Sequence, residues 1–145
     1  MVNITGDYSG DLHCTAVHGP SGNAISTDAP KDNQGRGEAF SPTDLVATAY
    51  ATCVATTMAM AARKYGIELN GLRYAVTKEM AADAPRRIAR LRLTVWLPPA
   101  ARKAPAGVLE YAAHHCPVHL SLAPAVEKVI DFHWDEALAT STAKA

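Results

Sequence analysis

Two of the three cysteines sit where a thiol could do chemistry. Cys53 lies inside a charge-free run from Leu45 to Ala62, and Cys116 stands directly before a proline in His114-His115-Cys116-Pro117-Val118-His119. One helix-borne and one turn-borne thiol, far apart in sequence, suggest a redox pair rather than a local metal knuckle. A mid-helix position offers no helix-terminal field, so a reactive Cys53 would need a cation from elsewhere in the fold. Cys116 is placed differently. Pro117 cannot continue a preceding helix but can open a new one, which makes Cys116 a helix N-cap whose sulfur faces unpaired amides, a setting that favours the thiolate. Cys14 alternates with its neighbours on the face of Leu12 and Ala16 and reads as a core residue.

Charged and metal-ligating neighbours widen the candidate list. Arg36 lies in a polar loop just ahead of the Cys53 helix, with Glu38 two residues on, and Arg86 and Arg87 lie in a second turn. A guanidinium at an active thiolate both stabilises it and can orient a peroxide oxygen. His13 and His18 flank Cys14, and His114, His115 and His119 flank Cys116, so zinc is a rival reading. The spacing is poor for it, because no Cys-x-x-Cys occurs and adjacent histidines seldom share one ion.

These residues need elements to position them. The first 28 residues pattern as β structure, with a turn at Gly19-Pro20-Ser21-Gly22-Asn23 and a returning strand over Ala24–Asp28. Residues Ala29–Phe40 form a polar, glycine-containing loop, long enough to be functional. Ser41-Pro42-Thr43-Asp44 then reads as N-cap, proline at the first helical position, and an acid able to reach back to the cap amide. The helix it opens runs to about Tyr65 and stops at Gly66. It is apolar enough to raise the membrane question, but its threonines and alanines point to a helix buried in protein on nearly all sides. Leu72–Thr77 and Ala89–Leu97 alternate as a hairpin, ended by Pro98-Pro99. Ala104–His115 reads as a shorter helix, Pro117–Leu122 as a helical turn, and Val126–Trp134 as a last strand. The tail from Asp135 to Ala145 is expected to fray.

The 145 residues fit a single domain spanning 1–145, and 48% apolar with 19% charged residues is ordinary for a globular chain. Fourteen basic and fourteen acidic residues cancel, so nothing points to nucleic acid or an anionic membrane as partner. The N-terminus shows no secretory signal, and three cysteines are too few for a disulfide scaffold. A cytoplasmic location is therefore expected.

Taken together, the pattern resembles the OsmC/Ohr group of thiol peroxidases. The resemblance rests on Ser41-Pro42-Thr43-Asp44-Leu45, Ala47–Ala51 with Cys53, and Cys116-Pro117-Val118 with Ser121-Leu122. It implies an α+β OsmC-like fold, an antiparallel β-sheet with a long central helix, in an intertwined homodimer. It also implies that such a protein reduces organic hydroperoxides with no metal and no organic cofactor. Cys53 would be the peroxidatic thiolate, Cys116 the resolving thiol, and an external dithiol the reductant. The organic-hydroperoxide branch opens its helix with Asn-Pro-Glu and pairs that Glu with an N-terminal arginine. Here Thr43 stands at the Glu position, which is closer to the YhfA-like branch, and Arg36 with Glu38 become the substitute catalytic candidates. Two other expectations stand beside this one: a stress or ligand-binding protein whose interface pocket is lined by Met58, Met60 and aromatics, and a zinc protein using Cys116 and its histidines.

Overall fold

The computed structural model describes residues 1–134. The tail expected to fray lies outside the described residues. The chain divides into two compact units, Met1–Val46 and a second that begins at Ala47.

The first unit is built on a three-stranded antiparallel meander: β1 (Ile4–Gly10), β2 (His13–His18) and β3 (Ala24–Asp28). The returning strand expected at Ala24–Asp28 is present with the expected limits. Cys14 corrects its expectation. Cross-strand partners share a face, and Cys14 pairs with Tyr8 and Thr27. On that face Ile4, Tyr8 and Ile25 are exposed, as is Cys14 itself, because nothing within this unit packs over them. Loop 29–40 contains a single 3-10 turn at Lys31–Asn33 and rejoins β3 through a bridge between Phe40 and Thr27. Its path needs a glycine at position 35, where a Cβ would lie 1.7 Å from the Ala29 carbonyl oxygen.

The capping box forms as the sequence dictates. The Asp44 amide donates to Ser41 Oγ at 3.1 Å, and the Ser41 amide donates to Asp44 Oδ2 at 2.8 Å. Helix α1 (Pro42–Arg63) starts there in the first unit and runs through the second, ending before Gly66, whose φ of 69° only glycine adopts freely.

In the second unit β4 (Arg73–Met80) and β5 (Ile88–Leu97) pair antiparallel, and Leu91, Leu93, Val95 and Leu97 are buried on alternate positions of β5. The last strand, β6 (Glu127–Trp134), departs from the antiparallel expectation by pairing parallel to β5. A parallel neighbour requires a crossover, and the helices α2 (Val108–His114) and α3 (Pro117–Ser121) supply it. Helix α2 starts four residues later than its apolar spacing suggests, since Gly107 at φ 79° lies outside helical geometry. The core joins Ala47, Tyr50, Ala51, Val54, Met58 and Ala62 of α1 to the inner face of β5, Leu109 and Cys116. Helix α1 is long and apolar enough to cross a membrane by length and composition, but it is the core helix of this unit. It buries one face only; Ala49, Thr52, Thr56 and Met60 are exposed, contrary to the expectation of burial on nearly all sides.

Candidate active site at the thiol pair

Helix α1 places Tyr50 and Cys53 one turn apart, and Cys116 caps the N-terminus of α3 in extended geometry, its Sγ accepting the His119 amide at 3.3 Å. The two expected thiols meet. Cys53 and Cys116 are both free, and the Cys53 side chain adjoins Cys116. Their exposures differ: Cys116 is fully buried, while Cys53 is half-buried.

The N-cap field was expected to favour a Cys116 thiolate, and here burial outweighs it. Desolvation pushes the Cys116 thiol up and the adjoining Cys53 side chain adds to this, while the His119 amide pulls the other way. The Tyr50 hydroxyl is buried without a hydrogen-bond partner among the described residues, and burial, followed by the nearby Cys116, pushes it up to about 12. The His119 ring lies 5.8 Å from that of Tyr50, and its Nδ1 is also buried and unpartnered. Burial first, then Lys128, His114 and His115, hold His119 below the ordinary histidine range, so its ring is neutral at pH 7. Sequence reasoning passed over Tyr50 and weighed His119 only as a zinc ligand. The available signals were an aromatic three residues before Cys53 in an alanine-rich helix and a histidine three residues after Cys116.

Arg36 and Glu38 lie in the first unit and are engaged there. Arg36 Nη2 is 3.2 Å from Asp11 Oδ2 and Nη1 is 3.7 Å from Glu38 Oε1, while Glu38 Oε2 is 3.1 Å from His13 Nε2. Arg87 is held by Asp83 at 3.0 and 3.1 Å. Cys116 and its neighbours His114, His115 and His119 form no group able to hold a metal ion among the described residues. His115 Nδ1 instead lies 2.7 Å from the Tyr111 carbonyl. Elsewhere in the second unit an open, mainly apolar groove of about 670 Å³ is lined by Thr57, Met60, Lys64, Tyr65, Val108 and Tyr111 among others. It contains neither thiol, and Met58, expected to line such a pocket, is in the core instead.

The family model described as OsmC-like protein matches residues 35–130. The chain belongs to the OsmC-like family. The match takes in Arg36, Glu38, Cys53 and Cys116 and begins after the β1–β3 meander. Among solved structures, a candidate osmotic stress induced and detoxification response protein from Psychrobacter arcticus 273-4 is 39% identical. It superposes with a TM-score of 0.81 over 92% of this chain and 96% of its own. An organic hydroperoxide resistance protein from Elizabethkingia anophelis is 13% identical, with a TM-score of 0.74 over 93% and 96% of the two chains. The organic hydroperoxide resistance protein OsmC from Legionella pneumophila is 14% identical, with a TM-score of 0.71 over 92% and 96%. These two share the OsmC-like fold. No curated protein matches the chain in sequence.

Proposed function

We propose that this OsmC-like protein is a two-cysteine hydroperoxide reductase acting on organic hydroperoxides. The observation that carries this reading is the adjacency of a half-buried and a fully buried thiol drawn from separate helices. Cys53, as thiolate, attacks the terminal oxygen of the hydroperoxide. The O–O bond breaks, the alcohol leaves with a proton, and Cys53 becomes a sulfenic acid. Cys116 then displaces hydroxide from that sulfur, which leaves as water, and a Cys53–Cys116 disulfide forms. A dithiol reduces it by exchange and is itself oxidised to a disulfide. Neutral His119, at the same helix turn as Cys116, is the base suited to take the thiol proton. Tyr50 is suited to donate a hydrogen bond to the peroxide or sulfenate oxygen, an interaction its hydroxyl otherwise lacks. Organic substrates fit the apolar surroundings of the pair, and the proteins of like fold from Elizabethkingia and Legionella are organic hydroperoxide resistance proteins.

The protein acts as a homodimer in this reading. Support comes from the exposed face of α1 and from exposed Ile4, Tyr8, Ile25 and Phe40, apolar surface that a second copy would cover. A cytoplasmic location suits a reduced thiol pair. The test is turnover of cumene hydroperoxide with a dithiol reductant: wild type should cycle and Cys53→Ser should fall to the uncatalysed rate. Equal turnover by the two proteins would remove the reading. A ligand-binding role through the groove predicts the opposite pattern, no turnover and a co-purifying apolar molecule.

A further inference from the structure

We propose that His13, Asp28 and Glu38 form a binding site for a divalent first-row transition ion. The site lies wholly in the first unit and uses no thiol. His13 opens β2 and Asp28 closes β3, and the two are direct cross-strand partners. Loop 29–40 delivers Glu38 to the same point, held by Asp28 itself: Asp28 Oδ2 accepts the amides of Arg36 at 3.2 Å and Glu38 at 2.9 Å.

Two details separate this cluster from an ordinary surface ion pair. The Asp28 side chain is wholly buried, yet its second oxygen, Oδ1, has no hydrogen-bond partner among the described residues and lies 3.6 Å from His13 Nε2. A buried carboxylate oxygen left unpaired is costly unless something binds it. The other detail is the orientation of His13. Its Nδ1 lies 2.7 Å from the Asp11 carbonyl, which can only accept, so Nδ1 carries the hydrogen. In the neutral ring Nε2 then presents its lone pair to the carboxylates, the arrangement by which proteins fix metal-binding histidines. The three donor atoms lie within 4.8 Å of one another. Ligands at about 2.0–2.2 Å from a tetrahedral ion stand roughly 3.3–3.6 Å apart. The His13 Nε2 separations of 3.1 Å to Glu38 Oε2 and 3.6 Å to Asp28 Oδ1 are close to that spacing. One imidazole with two carboxylates suits zinc, cobalt or manganese better than magnesium or a soft copper ion. The Glu38 side chain is 54% exposed, which leaves water access to the remaining positions.

The test is titration of the chelator-treated full chain with Co²⁺, followed by its visible spectrum and by equilibrium dialysis, with Zn²⁺ as competitor. The expected result is one Co²⁺ per chain with ligand-field bands, no thiolate charge-transfer band, and displacement by Zn²⁺. Losing a group that merely orients a ligand costs about 10–100-fold in affinity. His13→Gln and Glu38→Gln should therefore each weaken binding by at least about tenfold with the fold unchanged by circular dichroism. Asp28→Asn is unsuitable because Asp28 also holds the loop. No saturable binding, a thiolate charge-transfer band, or equal affinity in both variants would overturn the proposal; the first of these would mark the cluster as an imidazolium–carboxylate pair only.

Discussion

The thiol pair in the second unit and the His13–Asp28–Glu38 cluster in the first solve opposite problems. Around Cys53 and Cys116 the neighbours are core aliphatics, a tyrosine hydroxyl and a histidine nitrogen without partners. Around Asp28 the neighbours are two backbone amides, an oriented imidazole and a second carboxylate. The first is a dry setting in which a soft nucleophile meets few competing charges. The second concentrates hard donors on one point. Both leave buried polar atoms unsatisfied among the described residues: the Tyr50 hydroxyl and His119 Nδ1 in the one, Asp28 Oδ1 in the other.

The sharpest way to break the redox half of the comparison is Cys116→Ser. Serine is a good N-cap, so α3 should persist. Cycling should stop after one equivalent of hydroperoxide, with Cys53 sulfenic acid trapped by dimedone and seen by mass spectrometry. Continued cycling would show that Cys53 needs no internal partner.

Tyr50→Phe separates structure from chemistry. Removing a buried hydroxyl that has no partner should leave stability unchanged or raise it by about 1–2 kcal/mol in denaturant melts. Turnover should nonetheless fall by about tenfold or more if the hydroxyl serves the reacting oxygen. A parallel loss of both would reduce Tyr50 to a packing residue.

For the polar half, Gly35→Ala forces a methyl against the Ala29 carbonyl and must displace the loop that carries Arg36 and Glu38. A loss of about 2 kcal/mol or more is expected, together with loss of Co²⁺ binding. The mildest change is Ser41→Ala, which removes one arm of the capping box and should cost about 1 kcal/mol of stability while leaving the thiols in contact. The buried Cys116 also gives a pH dependence. Its folded value lies above the ordinary 9.0, so its contribution is complete below pH 9 and is lost as pH rises through and beyond that value. Iodoacetamide should accordingly label Cys53 before Cys116 at neutral pH.

Local signals in the sequence were strong where one residue type has one good use. Ser41-Pro42-Thr43-Asp44 allowed little except a capped helix, and Cys116-Pro117 little except a new turn, so α1, α3 and the thiol-bearing elements were legible. The hairpin β4–β5 followed from alternation. What escaped was set at a distance. The parallel pairing of β6 depends on a crossover that strand periodicity does not encode. Cys14 alternates like a core residue, but whether a strand face is covered depends on what packs upon it. The orphaned Tyr50 hydroxyl and the convergence of His13 with Asp28 and Glu38 arise only once strand register and loop path are fixed. The depression of His119 and the elevation of Cys116 follow from burial, which a motif does not report.

The most direct measurement is peptide mapping of the protein after one equivalent of cumene hydroperoxide, with thiols counted before and after. The account predicts loss of two thiols per chain and a single Cys53–Cys116 linkage, with Cys14 still free. Two thiols surviving, or a linkage through Cys14 instead, would contradict it.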